Sequence, residues 1–296
     1  MLQPRLIIYP SSYFNEKKIE EDYKNEYDAA NGLFQAALYG YEKWHSAGKL
    51  SLHYLSDLRK TPGTVYAIYR GWMMSPDEYS AFYSALQSEG IQLITDPESY
   101  KTVHCFPYAY PYIKEDTTGM ETFPLHCEID VEMLKRKFGR FMVKDYTKSV
   151  KGGKFPDSFG DETTQESFDS AMRLFYEYRG DLLTGGICIK EFLRLKKYNI
   201  GGKQAKNEWR VFYINGINYV PLKNSGQPEY AATPPEELVR KYSNIPSPFY
   251  TIDFAEIEDG RWAILETGDG GVSSVPDGHD LRKYYSFLHS AFAGSK

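Results

Sequence analysis

The sequence predicts a mixed α/β protein built in two parts, and three stretches carry that expectation. Residues 64–95 alternate strand, helix and strand, the ordinary building block of a parallel sheet. Residues 250–271 have the form of a hairpin, with Asp259-Gly260 between two apolar runs, the strongest short-range hairpin signal a sequence offers. Between these stretches, from about Met120, the texture changes to strands separated by Gly- and Lys-rich loops.

Taken in order, residues 6–9 read as a short strand ended by Pro10-Ser11-Ser12. Residues 13–48 place Ala29, Leu33, Ala36, Ala37 and Tyr41 at helical spacing and predict a helix with a charged outer face. Residues 52–55 and 64–69 follow as strands. Ser75-Pro76-Asp77-Glu78 starts a helix as N-cap, first-turn proline and acidic first turn, with Gly90 at its end and a strand at 91–94. The Pro- and Tyr-rich segment 106–112 reads as a connection out of this first part. Helices are expected at 130–138 and 167–179, strands at 141–144, 185–193 and 209–214, and an Asn215-Gly216 turn into 217–222. Pro234-Pro235-Glu236-Glu237 starts another helix, and a last one closes the chain at 280–292.

Composition narrows the class. With 296 residues, 42% hydrophobic and 25% charged, the chain has enough material for a substantial core and little tendency to disorder. The 26 tyrosines point to strand and core use. A net charge of −5 argues against general binding of nucleic acid or membrane surfaces. Cys105, Cys127 and Cys188 form no CxxC pair, so neither a zinc knuckle nor a disulfide framework is indicated. No apolar segment has the length of a signal peptide core or a membrane span, and a cytoplasmic location is expected.

Several residues can carry chemistry. Asp253 and Glu266 are carboxylates inside otherwise apolar strands, where an unpaired charge is costly. A hard cation such as Mg²⁺, bridging to phosphates, would account for both. Lys144 closes an apolar strand, and the loop after it carries Lys148, Lys151 and Lys154 among glycines; such a loop suits a polyphosphate, or is simply a solvated basic loop. Lys190-Glu191 interrupts a second apolar strand, either as a nucleobase-binding edge or as an edge-strand charge pair. Glu208 and Arg210 share a face of their strand, which fits Arg210 for a phosphoryl group or for a cross-strand salt bridge.

As an ordered set these parts resemble the ATP-grasp superfamily, and more closely the clade named for one arginine and two lysines. FMVKDYTKSVK, GGICIKEFLRL, EWRVFYING and FYTIDFAEIEDGRWAILETGDGGVSS are similar to its nucleotide-binding core. VYAIYRGWMMSPDEY and IQLITDPESY are similar to its pre-ATP-grasp domain. The resemblance implies an α/β pre-ATP-grasp domain at 1–118 and an ATP-grasp domain at 119–296, with a cleft between the two subdomains of the latter. It implies ATP and Mg²⁺ as cofactors. Lys144 and Lys148, with Lys151 as a loop alternative, are expected on the ATP phosphates, Lys190 among the ATP-binding residues, Glu191 at the adenine–ribose hinge, and Arg210 on the transferred phosphate. Asp253 and Glu266 are expected to hold the metal. Many ATP-grasp enzymes place an Asn two residues after the metal glutamate; here Gly268 stands there, and Asp269 is expected to ligate by a shifted geometry. Arg70, expected to be exposed at a strand's carboxyl end, is the candidate for the acceptor carboxylate.

The implied activity is an ATP- and Mg²⁺-dependent carboxylate–amine ligase that acts through an acylphosphate and releases ADP and phosphate. Its partners would be small-molecule or peptide carboxylates and amines. The rival readings are an ATP-dependent kinase and a degenerate ATP-binding module. Substrate choice is expected to lie in the N-terminal part and in loops such as 198–206.

Overall fold

The computed structural model describes residues 3–55, 63–150 and 152–294, whose strands form four sheets. The N-terminal sheet contains β1 (Leu6–Ser12), β2 (Asn15–Ile19), β3 (Gln35–Tyr39), β4 (Leu52–Tyr54), β5 (Val65–Tyr69) and β6 (Ile91–Leu93), with α1 (Lys24–Ala30), α2 (Tyr41–Ala47) and α3 (Pro76–Ser88) in its connections. Its order is β4-β3-β1-β5-β6, with β2 paired to the end of β1. Strands β1, β3, β5 and β6 run parallel, as the strand–helix–strand pattern predicts. The Ser75 side chain accepts from Glu78 N at the start of α3, so the cap read from the sequence is made.

The helix expected over residues 13–48 is not formed. That segment holds β2, a 3₁₀ turn, α1, β3 and α2. The run Ala36–Tyr39 is buried on both faces because Ala36 and Leu38 pack into one core and Ala37 and Tyr39 into the core on the other side of the sheet, and a strand buried on both sides reads as a continuous apolar run. Its alanines mimic a helix. Gly32 and Gly48, at φ 82 and 60, mark two of the turns that break the segment up.

Two helices, α4 (Pro97–His104) and α5 (Phe106–Ile113), follow β6. The stretch 106–112, expected as a connection, is therefore helical. Pro107 falls in the first turn, where a missing N–H costs nothing, and Phe106, Ala109 and Ile113 are buried at helical spacing. Helix α4 goes beyond the sequence expectations, although Asp96 caps it and Pro97 opens it as Ser75 and Pro76 do for α3.

The remainder comprises β7 (Met120–Phe123), α6 (Val131–Phe138), β8 (Phe141–Asp145), α7 (Gln165–Arg179), β9 (Ile187–Glu191), β10 (Lys197–Ile200), β11 (Lys203–Lys206), β12 (Glu208–Ile214), β13 (Ile217–Asn218), β14 (Leu222–Lys223), α8 (Glu236–Lys241), β15 (Phe249–Glu256), β16 (Trp262–Asp269) and α9 (Leu281–Ala293). One small sheet has the order β7-β9-β8, and α6 and α7 cover it through a core that includes Leu134, Phe168 and Phe175. A larger one has the order β13-β12-β15-β16, with β14 paired to β12. Residues 198–206, expected as a loop, make the two-stranded β10–β11 ribbon around Gly201-Gly202.

A shared core ties the N-terminal sheet to the larger C-terminal one. Ile7, Tyr9 and Leu38 pack with Phe212 and Ile214 of β12 and with Tyr284 and Leu288 of α9. The carboxyl end of β5 therefore abuts the end of β16, where the Gly71 N–H donates to the Gly271 carbonyl at 3.1 Å. Among the described residues no helix is long and apolar enough to cross a membrane.

Candidate active site

The β15–β16 hairpin forms as its alternation and Asp-Gly turn predict, and its register sets Asp253 directly opposite Glu266. Cross-strand partners share a face, so the two carboxylates stand side by side. A bulge follows at once: Phe254 pairs with Ile264, leaving Leu265 as an extra residue. The carbonyl of Leu265 turns to accept from Lys190 Nζ at 2.6 Å.

Each carboxylate faces a cation. On β12, Arg210 lies opposite Asp253 and forks onto it, Nε to Oδ1 at 2.9 Å and Nη2 to Oδ2 at 2.8 Å. The cross-strand salt bridge is thus made. Lys144, at the end of β8 in the facing sheet, donates to Glu266 Oε1 at 3.2 Å and is buried. The space between the β7-β9-β8 sheet and β16 is a cavity of about 640 Å³. Lys144, Lys190, Glu191, Glu208 and Glu266 line it, with Lys197 and Lys206 from the β10–β11 ribbon.

Lys190 lies over the face of Phe106, 3.6 Å from the ring centroid, and Lys144 is 5.2 Å from the same ring. Burial, and then the neighbouring Lys144, pull the Lys190 ammonium down to about 7. An unfolded lysine keeps its proton to its ordinary, higher range, so above about pH 7 the unfolded chain binds more protons than the folded one. The cost of charging Lys190 is therefore fully present below pH 7 and fades as pH rises through the interval. Urea midpoints on either side of that value should show Lys190→Met more stable than the parent at the lower pH, with the gap closing above it. A pH-independent gap would contradict a depressed Lys190.

The loop after Lys144 is folded back by Asp145, which is fully buried. Its Oδ1 accepts from Thr147 N and Lys148 N, both at 2.7 Å, and its Oδ2 accepts from Arg179 Nε at 2.8 Å. Lys148 itself is exposed beyond this anchor and does not line the cavity. Its charge reaches buried His104, whose imidazole is held down at about 3 by burial first and then by Lys148 and Lys144. Lys151 lies outside the described residues. Asp145 and Phe106 belong to the site without having been expected there. An Asp directly before a polar loop is an Asx-turn signal that could have found the first; nothing local marks the second.

Two expected residues are placed elsewhere. Asp269 sits an odd number of positions from Glu266, so strand alternation turns it to the opposite face, beside Tyr79 and Tyr100 and away from Asp253. Its Oδ1 accepts from Gly271 N at 2.8 Å, its Oδ2 has no partner, and burial pushes the carboxyl up to about 7. Among the described residues no group of three or more His, Cys, Asp or Glu side chains could enclose a metal. Arg70, expected to be exposed, is buried. Its Nε and Nη2 bind Glu26 at 2.5 and 2.6 Å, and Nη1 donates to the Gly271 carbonyl at 2.9 Å. The β5 strand ends against α1 and the 269–271 turn instead of solvent, which commits the guanidinium internally.

A family model matches the part of the chain that builds this cavity. It describes the third family of ATP-grasp domains in the clade named for one arginine and two lysines, and it covers residues 132–288, more than half of the chain. The chain belongs to this ATP-grasp family. Solved structures share its fold over nearly the whole length. The D-cycloserine synthetase DcsG aligns with 11% identity and a TM-score of 0.58, covering 97% of this chain and 99% of that one. A D-alanine–D-alanine ligase from Bacillus anthracis, complexed with ATP, aligns with 12% identity and a TM-score of 0.59, covering 97% and 94%. The ATP-grasp ligase PsnB, complexed with minimal precursor, Mg and ADP, aligns with 10% identity and a TM-score of 0.58, covering 99% and 100%. No curated protein matches the sequence. The mixed α/β fold is accordingly the ATP-grasp fold, and the cavity of this ATP-grasp domain lies between the two sheets that carry Lys144 and Glu266.

Proposed function

We propose that the protein is an ATP- and Mg²⁺-dependent carboxylate–amine ligase that releases ADP and phosphate. The observation that carries the reading is the doubled charge pair on the hairpin, Lys144 on Glu266, which line the cavity, and Arg210 on Asp253, directly across from Glu266. Two cations and two carboxylates neutralise one another here. A Mg²⁺–triphosphate offers each a better partner, phosphate oxygens for Lys144 and Arg210, the cation for Asp253 and Glu266. Two carboxylates fit an ion that completes its shell with phosphate oxygens and water, which is how Mg²⁺ is usually held. The metal would neutralise charge on the phosphates and align them.

In this reading Lys148 adds a charge above the phosphates, and Lys190 and Glu191 border the adenine and ribose. We assign residues 1–118 to the acceptor-side domain and 119–296 to the nucleotide domain. The γ-phosphoryl passes from ATP to an oxygen of the acceptor carboxylate, and its bond to ADP breaks. The amine nitrogen then attacks the acyl carbon, phosphate leaves, and the nitrogen sheds a proton. This chemistry asks the protein for positioning and charge neutralisation, without a protein nucleophile. The likeness to structures named as synthetases and ligases supports a ligase reading over simple phosphorylation.

The test is ADP release across a panel of amino acids and short peptides, with hydroxylamine as a trap. ADP formation that needs both a carboxylate and an amine, with hydroxamate appearing when hydroxylamine replaces the amine, is the expected result. Stoichiometric ADP and a stable phosphorylated acceptor without any amine would establish a kinase instead.

A further inference from the structure

Removing Asp269 from the metal leaves the face of β15 and β16 that carries Asp253 and Glu266 to be read for other oxygens. The next cross-strand pair on that face is Thr251 and Gly268. Gly268 is not in the left-handed region, so its backbone accepts any residue, but the space its side chain would take is filled. A Cβ there would lie 2.8 Å from Ser273 Oγ and 3.1 Å from Thr251 Oγ1. The segment is tied to the same site from its other side, since Arg210 Nη1, on the guanidinium that grips Asp253, donates to the Ser274 carbonyl at 3.0 Å.

The hydrogen-bond inventory of Ser273 leaves it an oxygen to offer. Its hydroxyl has one proton and two lone pairs. The proton is given to the Asp269 carbonyl at 2.8 Å. With the Ser273 proton so placed, the contact with Thr251 Oγ1 at 2.9 Å has Thr251 as donor, in preference to the Gly268 carbonyl 3.4 Å from the same hydroxyl, and uses one lone pair. The second lone pair remains, on a half-buried side chain beside the two carboxylates.

We propose that Ser273, held by Thr251 in the space left by Gly268, supplies a neutral third protein oxygen to the divalent cation. The inference rests on the metal reading of Asp253 and Glu266 above. It gives the glycine a reason: any larger side chain at 268 would displace the hydroxyl that replaces it. It also keeps the protein's share of the site at two negative charges, leaving the ion to be held largely through the nucleotide.

The test is direct binding, by the loss of free Mn²⁺ signal in electron paramagnetic resonance, of Mn²⁺ to the full-length protein with ADP, without turnover. Ser273→Ala should weaken Mn²⁺ binding on the order of 10-fold, with ADP binding in chelator unchanged. The double variant Gly268→Asn/Ser273→Ala should recover it, because the amide then enters the vacated space, whereas Gly268→Asn alone should be as weak as Ser273→Ala or weaker. Parent-like Mn²⁺ affinity in Ser273→Ala, with Glu266→Gln strongly impaired, overturns the role of Ser273 and leaves the metal pair standing. Parent-like affinity in Glu266→Gln as well removes the metal reading and this inference with it.

Discussion

Glu266→Gln should lose ATP-dependent turnover by on the order of 10³-fold while keeping its fold. Glutamine preserves the volume and one oxygen but removes the charge that Lys144 and, in the proposed reaction, the cation both require. The residue is only half-buried and its contact with Lys144 is 3.2 Å long, so little of the fold depends on that pair. Asp253→Asn should be as inactive and less stable, because it leaves Arg210 with no counter-charge for a bidentate contact made by a largely enclosed guanidinium. ADP release and the urea midpoint, measured on both variants, separate these expectations. Parent-like turnover in either would remove the pair from the reaction.

Arg70→Met should destabilise the protein by about 3–5 kcal/mol, the cost of leaving one partner of a buried ion pair uncompensated. Glu26 would remain enclosed with only the Tyr285 hydroxyl against its carboxylate, and the Gly271 carbonyl would lose the Arg70 donor. Glu26→Gln/Arg70→Met should recover part of that loss, since removing both charges removes the burial penalty of each. Urea unfolding of the parent, the two single variants and the double variant forms the cycle that measures the coupling. Independent, additive effects would release Arg70 from its structural duty and return it to the acceptor side. Gly271 cannot accept a side chain as the turn stands, because a Cβ there meets the Tyr69 carbonyl and Asp269 Oδ1. The turn after β16 is therefore seated on the N-terminal sheet by backbone contact and by Arg70 together.

How far the site could be read in the sequence follows from the range of each interaction. Asp253 and Glu266 belong to one hairpin, and a period of two with an Asp-Gly turn is enough to put both carboxylates on one face. Lys144 and Arg210 were legible as charges closing or interrupting apolar strands, though which carboxylate each would meet was not. The same alternation shows why Asp269 parts from Glu266: three positions along a strand reverse the face. The expected placement of Asp269 set a family spacing above that rule.

Other features depended on distant partners. The apolar run in β3 is strand because β1 and β4 flank it, and no local spacing distinguishes that environment from a helix face. Phe106 lies under two lysines because α5 packs against β16 and its Phe106 joins the core that includes Cys188 of β9, and Arg70 is buried because α1 and the 269–271 turn close over the end of β5. By itself the sequence determined the strand–helix–strand unit, the Asp253–Glu266 hairpin and the inventory of charges, since these rest on side-chain period, capping and turn chemistry within a few residues. Only the tertiary structure decided which charges meet, which are sealed off, and that Ser273 fills the place beside Gly268. Those outcomes are set by contacts between segments far apart in the chain, whose geometry no local pattern encodes.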